Sequence, residues 1–381
     1  GVTRPGATLQ IAHEGLSRTD DDGVEVGEAG SLLVRVSVAY PDAISAEAQR
    51  VLREGLDAHH WTADFDRLLA TSEFFRDQFL RHTDWVVEEV VQGRLFQPSG
   101  LTPDAWRQSL EALLPDTSDE AGVMCALRVF RNRHMLRIVA CELTGRVELE
   151  DTFRDLTALA DTAIQFAVGW ATDQLAGRFG QPTGEWSGDP QELIVLGMGK
   201  LGGCELNLSS DVDLIYCYPE AGNTVGGRKS LSNQEFFIRV GQQVIKLLDA
   251  KTVDGFVFRV DMRLRPFGSS GPLAVNFNAL EVYYQQHGRD WERYAMIKSR
   301  AITGSPANTK PLAELKRAFV YRRYTDFGAL HALRDMREMI TAETLRAGLQ
   351  GNIKRGYGGI REVEFIVQCK QLIHGGRNPQ L

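Results

Sequence analysis

Apolar residues recur at helical spacing from about Pro41 to Leu175. Thr102-Pro103 reads as a helix start, an N-cap followed by proline in the first turn, and Trp106, Leu110, Leu113 and Leu114 continue at that spacing. Cys125 to Leu143 and Phe153 to Leu175 form two longer periodic segments, the second rich in alanine and suited to close packing, so the N-terminal third is expected to be all-helical. After the Gly/Pro-rich segment 177–190 the period shortens. Leu193 to Leu196, Asp213 to Tyr218 and Phe256 to Leu264 are short apolar runs that predict a small sheet. Between the last two, Ser232-Asn233-Gln234-Glu235 spells a capping box, opening a helix with Phe236, Phe237, Val240, Val244, Leu247 and Leu248 on one side. Beyond Asn278 the helical pattern resumes to the end, broken near Gly304 and over 351–359. The first forty residues are less patterned: Asp20-Asp21-Asp22 reads as a solvated turn and Val34 to Val38 alternates like a short strand. The fold class expected is mostly α with a small α/β domain, divided as a mainly helical region over 1–150, an α/β domain over 151–304 and a C-terminal helical region over 305–381.

Composition adds exclusions. The chain has 381 residues, more than one core usually serves, with 43% apolar and 24% charged residues. It shows no run of apolar residues long enough to span a bilayer and no export leader, so a cytoplasmic protein without a membrane partner is expected. A net charge of −7 opposes nonspecific nucleic-acid binding. Cys125, Cys141, Cys204, Cys217 and Cys369 are scattered and never spaced as CxxC, which predicts reduced thiols, mostly in the core. Arg128, Arg131, Arg133 and Arg137 cluster on one helix and read as a solvated face with local ion pairs. Trp291, Tyr294 and Lys298 share a helix stripe, the aromatics as core. None of the eight histidines reads as catalytic.

The chemistry concentrates in Val195 to Ile215, VLGMGKLGGCELNLSSDVDLI. Gly197, Gly199 and Gly202 spell GxGxxG, yet only residues 203–210 separate them from the next strand, too few for the crossover of a dinucleotide-binding unit. A Walker A loop also fails, because Lys200 precedes Leu201 rather than Ser or Thr. What remains is a strand, a glycine turn, a short helix and a strand beginning Asp-x-Asp. Alternation puts Asp211 and Asp213 on one face, where two carboxylates roughly 6 Å apart repel by about 3 kcal/mol at an effective dielectric near 20. A shared divalent cation relieves that repulsion. Val260 to Arg265 alternates too, giving Asp261, Arg263 and Arg265 one face of a third strand. Three carboxylates suit two divalent ions and arginines suit phosphate oxygens, which together predict metal-dependent nucleotidyl transfer.

The glycine turn, Asp-x-Asp and later strand carboxylate resemble the nucleotidyltransferase superfamily typified by DNA polymerase beta. The longer text GMGKLGGCELNLSSDVDLI, VDMRLRPFGSSGPL, GRDWERYAMIKSRAITG, FVYRRYTDFGALHALRDMR and GGIREVEFIVQ resembles the bifunctional glutamine synthetase adenylyltransferase/adenylyl-removing family from about Ile194 to His374. Such proteins carry two homologous halves, one attaching AMP to a tyrosine of glutamine synthetase and one removing it. Glu205-Leu206-Asn207-Leu208-Ser209-Ser210-Asp211, Trp291-Glu292-Arg293-Tyr294-Ala295 and Gly359 to Phe365 resemble the N-terminal, deadenylylating half. One Asp-x-Asp of this kind, with no initiating methionine and an abrupt end at Leu381, implies a fragment. Departures are small: Cys204 stands where the family often has a larger polar residue.

The resemblance implies phosphorolysis: inorganic phosphate attacks the adenylylated tyrosine, giving ADP and unmodified glutamine synthetase. Asp211, Asp213 and Asp261 are then the catalytic, metal-holding residues for Mg²⁺, with Mn²⁺ also possible. Gly199, Lys200, Gly202, Gly203, Ser210, Arg263 and Arg265 are expected to bind phosphate or nucleotide, and Lys298, Arg361, Glu362 and Glu364 to border the site. Expected partners are glutamine synthetase, a PII-type nitrogen signal protein, phosphate and ADP or ATP. ATP-dependent adenylylation on the same scaffold, or a non-catalytic module binding glutamine synthetase or a PII-type protein, are the alternatives.

Overall fold

The helical period of the first third becomes a run of short helices, some of them capped by a hydroxyl side chain. The computed structural model describes residues 8–11, 32–35, 44–115, 119–321, 327–349, 351–354 and 356–378. The chain packs as two units, Gly1–Leu101 with Asn132–Asp155, and Thr102–Arg131 with Leu156–Leu381.

In the first unit, β1 (Thr8–Ile11) pairs antiparallel with β2 (Leu32–Arg35). The turn expected at Asp20–Asp22 and the strand residues Val36 to Val38 lie outside the described residues. Four helices follow: α1 (Ala46–Ala58), α2 (Thr62–Thr71), α3 (Glu73–Arg81) and α4 (Thr83–Val91). Ser45 caps α1 and Ser72 caps α3, each hydroxyl accepting a first-turn N–H that has no helical partner. Their apolar stripes meet in a core of Leu52, Leu56, Phe65, Phe75, Phe79, Val86 and Val90, which Leu136 and Ala140 complete. Each such side chain contributes about 1.5–3 kcal/mol by leaving water.

Helix α5 (Pro103–Glu111) starts at the expected Thr102-Pro103 cap. The long α6 (Glu120–Leu143) and α7 (Leu149–Phe179) each cross the boundary between the units. The arginine cluster on α6 corrects the sequence reading: it is not a solvated face. Arg128 is fully buried and gives hydrogen bonds to the carbonyls of Met124 (2.8 Å), Leu247 (3.1 Å), Gly255 (2.9 Å) and Ala250. Arg131 lies over Phe256 and Arg133 over Trp85. Arg137 meets the ring of His134, which burial and then Arg137 and Arg133 push down to about 3, so that histidine is neutral. Helical periodicity shows which residues share a face; it does not show that a face ends against unsatisfied carbonyls.

The second unit holds the α/β part. An antiparallel pair, β3 (Gly180–Gly184) and β6 (Gly222–Gly226), stands apart from the main sheet. In that sheet β4 (Ile194–Met198) leads into α8 (Gly199–Gly202), and β5 (Val212–Tyr218) returns antiparallel to β4. Helix α9 (Asn233–Asp249) begins at the Ser232 cap. The box closes on one side only, since Glu235 pairs with Arg239. Then come β7 (Val260–Asp261), β8 (Ala274–Asn276), α10 (Phe277–Gln286), α11 (Asp290–Ile297), β9 (Ser299–Ala301), α12 (Pro306–Val320), α13 (Phe327–Arg346) and α14 (Ile360–His374). The strand order is β7-β5-β4-β9, with β8 also beside β5; β7 and β8 run parallel to β5 and β9 antiparallel to β4. One face of the sheet packs on α9, where a Cβ at Gly241 would come within 2.7 Å of the Tyr216 ring, so that helix approaches closely. The opposite face packs Ile194, Leu196, Ile215 and Cys217 with Leu280, Tyr284 and Met296.

The fold is therefore mostly helical with a small α/β domain, as expected, with local corrections. The apolar run Phe256 to Leu264 supplies only two paired residues, because the chain turns after Asp261. The glycine turn and the short helix are one segment, α8, and residues 203–210 form turns. Trp291 is exposed rather than core, while the Tyr294 ring lies tilted against Phe365. Cys141 and Cys217 are buried, but Cys125 and Cys204 are exposed. Among the described residues no helix is long and apolar enough to cross a membrane.

Candidate active site

Strand register builds the centre of the site. Because β5 and β7 run parallel with Asp213 opposite Asp261, two carboxylates occupy neighbouring strands about 4.8 Å apart. Asp211 precedes β5. Burial first, then the Asp261 and Asp211 charges, push the Asp213 carboxyl up to about 6. The three aspartates thus share one electrostatic neighbourhood.

Two guanidinium groups occupy the outer aspartates. Arg259 Nε donates to Asp211 at 2.5 Å, and its other end reaches the Ser209 carbonyl at 2.7 Å. Arg263 Nε lies 2.8 Å from Asp261 Oδ2, and the Arg263 N–H also reaches Asp261 Oδ1, at 2.8 Å. The Arg263 bonds hold Asp261 below the usual carboxylate range. Among the described residues, accordingly, no three acidic, imidazole or thiol groups converge closely enough to enclose an ion as they stand. The donor set still suits one: all three groups are hard carboxylate oxygens, and Asp213 is buried beside two like charges that Arg263 and Lys354 only partly offset, a cost that a divalent cation would relieve.

The glycine segment lies beside these carboxylates. Gly199 adopts φ +55° and a Cβ there would sit 3.7 Å from Asp213 Oδ2, so its backbone lies against the buried aspartate. Gly202 has a different reason to be glycine, since its Cβ would fall 2.2 Å from the Lys298 carbonyl oxygen. Gly203 follows at φ −82°. Arg300 ties this segment down, donating to the Leu201 carbonyl at 3.2 Å and pairing with Asp161 at 2.9 Å.

Lys200 and Lys298 form a second group with Glu205 and Glu364. Lys298 Nζ reaches Glu205 at 2.8 Å and Glu364 at 3.2 Å. Burial, and then the neighbouring Lys354, lower the Lys200 ammonium below its usual range.

Four expected residues are placed elsewhere. Ser210 gives its hydroxyl to Asn207 within the turn before β5. Arg265 holds its own loop, donating to the carbonyls of Met262 (2.8 Å), Ser269 (3.2 Å) and Gly271 (3.3 Å). Arg361 lines a cleft with Arg337, Phe365 and Ile373. Glu362 accepts the Gly358 N–H at 2.9 Å, ahead of α14. The sequence reading missed Arg259, which shares the parity of Asp261 and Arg263 and could have been found by extending the alternation two residues back. It also missed Glu205 and Lys354, for which no local pattern gives a signal.

This arrangement is set beside known proteins by its sequence. The profile of the family described as glutamate-ammonia ligase adenylyltransferase matches residues 62–314. The chain belongs to this family. A second profile, described as GlnD PII-uridylyltransferase, matches residues 334–381. Three proteins named bifunctional glutamine synthetase adenylyltransferase/adenylyl-removing enzyme are close in sequence. The one from Pseudomonas aeruginosa is 54% identical over 84% of this chain and 32% of its own length. That from Shewanella loihica is 50% identical over 84% of this chain and 33% of its own length. That from Thioalkalivibrio sulfidiphilus is 47% identical over 90% of this chain and 36% of its own length. The chain thus spans about a third of the length of the curated relatives it matches. The 62–314 match takes in every strand of the main sheet, with Asp211, Asp213, Asp261 and Lys298, whereas α14 and Glu364 fall under the second profile.

Proposed function

We propose that this site removes AMP from an adenylylated tyrosine of glutamine synthetase by metal-dependent phosphorolysis, in the regulation of nitrogen assimilation. The observation that carries the reading is the in-register pair Asp213 and Asp261, with Asp211 close enough in charge to raise Asp213 further. A divalent cation would relieve the electrostatic cost that Asp213 bears beside the other two carboxylates, which supports this reading. The removing direction rests on the wording Glu205 to Asp211, Trp291 to Ala295 and Gly359 to Phe365.

In this reaction an oxygen of inorganic phosphate bonds to the phosphorus of the tyrosine-linked AMP. The bond from that phosphorus to the tyrosine oxygen breaks, so the products are ADP and a free phenolate that takes a proton from water. A phenol of pKa near 10 leaves with little acid assistance. Asp211, Asp213 and Asp261 would hold Mg²⁺, or Mn²⁺, which when bound neutralises charge on the transferring group. The residues of the chain position the reactants. Gly199 and Gly203 let the backbone come close to a phosphate, and Lys200 supplies a cation beside it. Arg263 is 80% exposed while it rests on Asp261, and it would be free to meet a phosphate oxygen if Asp261 held a cation instead. Gly202 supports the segment, and Ser210 and Arg265 hold neighbouring turns.

Glutamine synthetase as protein substrate follows from the names of the relatives, and a PII-type partner from the second profile together with the family resemblance. On this reading the protein acts in the cytoplasm. The relatives' names also carry the opposite reaction, ATP-dependent adenylylation. Phosphate-dependent ADP formation from adenylylated glutamine synthetase supports removal; incorporation of labelled AMP from ATP into unmodified glutamine synthetase supports attachment. Absence of both, with no binding of Mg²⁺ or nucleotide in calorimetry, supports a non-catalytic module.

A further inference from the structure

Lys298 stands at the C-terminal end of α11 and joins carboxylates from two separate elements, Glu205 after α8 at 2.8 Å and Glu364 on α14 at 3.2 Å. Its side chain is the least exposed of the three, 19% against 42% for Glu205 and 35% for Glu364. The backbone aims it. Gly202 packs on the Lys298 carbonyl, and a Cβ at Gly203 would sit 3.4 Å from Lys298 Cδ, so the stem runs alongside the glycine segment.

Lys200 shares this neighbourhood. Its carbonyl accepts the Glu205 N–H at 2.8 Å, which keeps Glu205 within a turn of it. Both Glu205 and Glu364 act on the Lys200 ammonium electrostatically, and Lys354 and Lys298 oppose them. Among the described residues, Lys200 is in no ion pair within 4.0 Å. Glu205 and Glu364 therefore lie among three ammonium groups, Lys200, Lys298 and Lys354, and both carboxylates are committed to Lys298.

We propose that Lys298 is a positioning residue: it holds Glu205 and Glu364 away from Lys200 and so leaves the Lys200 ammonium for a phosphate group. The inference rests on the phosphate-binding role given to Lys200 above. Without Lys298 the two carboxylates are left with Lys200 and Lys354, and their turn to Lys200 both quenches its charge and places two negative groups where phosphate must enter.

The test compares Lys298→Met with Lys298→Arg and with the triple variant Lys298→Met/Glu205→Gln/Glu364→Gln, all in the full chain. Lys298→Met is expected to weaken binding of inorganic phosphate in calorimetry roughly tenfold, the effect of one charge-assisted contact. Acetylation of Lys200 by acetic anhydride, followed by mass spectrometry at mildly alkaline pH, is expected to slow several-fold in Lys298→Met. The triple variant, which restores neither tie but removes the competing carboxylates, is expected to recover both readouts, and Lys298→Arg to retain them. Unchanged Lys200 labelling in Lys298→Met overturns the proposal. So does a triple variant as impaired as the single one, which would make Lys298 a structural brace. Labelling needs no turnover, so a wild-type protein that forms no ADP would sink the proposed reaction while Lys298 is still decided.

Discussion

Asp213 sets stability against its proposed metal-holding role in one side chain. Its carboxyl, raised to about 6 from an ordinary value near 3.8, binds a proton more readily in the folded than in the unfolded chain. In buffer without divalent cations this residue opposes folding above pH 6, and the chain gains stability from it as pH falls from about 6 towards 4. Asp213→Asn is therefore expected to raise the melting temperature at neutral pH, by at most about 3 kcal/mol of stability, and to flatten that pH dependence. A lower melting temperature would mean that Asp213 is stabilised by contacts outside its strand. The carboxylates were legible in part: Asp213 lies on β5 as the alternation expects, whereas Asp211 precedes the strand and is tied to Arg259. The arginines were legible only in part. Arg263 and Arg265 share a parity that holds for a strand, but the strand stops at Asp261, and the turn that follows sends Arg265 to backbone carbonyls instead.

Among elements, α8 and α6 show how a local pattern acquires its meaning from what packs against it. Gly199, Gly202 and Gly203 look alike in sequence yet differ in space. Gly202→Ala drives a Cβ into the Lys298 carbonyl and is expected to cost more than about 2 kcal/mol, seen as a fall in the denaturation midpoint, whereas Gly203→Ala meets ordinary contacts and should stay within about 0.5 kcal/mol. Equal effects at the two positions would contradict the placement of β9 against α8. Strand β9 itself was invisible, since Ser299-Arg300-Ala301 is too short and too polar to show alternation. Arg128 on α6 makes the second case. It satisfies carbonyls at the end of α9, and Arg128→Met is expected to destabilise by about 2–4 kcal/mol because those oxygens lose their donor in a buried place. A surface arginine, as the periodicity implied, would cost almost nothing.

Across the whole molecule, the order strand, glycine segment, Asp-x-Asp strand and later aspartate was readable because each part is local in sequence. Their convergence was inferred from chemistry, and the parallel register of β5 and β7 brings two of the three carboxylates side by side. Lys298 and Glu364 were expected near the site through the family resemblance alone, but their junction with Glu205 was not readable, as it joins residues more than sixty positions apart that no periodicity links. Its three members come from a turn, a helix end and a distant helix, so only tertiary packing defines it.

The central claim is that this chain uses its aspartate pair to release AMP from a protein tyrosine. It is tested most directly by incubating the protein with adenylylated glutamine synthetase, Mg²⁺ and inorganic phosphate, and measuring ADP, with Asp213→Asn in parallel. ADP formation that requires phosphate and vanishes in the variant, while the variant remains folded, is the predicted result. ADP formation undiminished in Asp213→Asn, or AMP transfer from ATP with no phosphate-dependent release, would contradict the account.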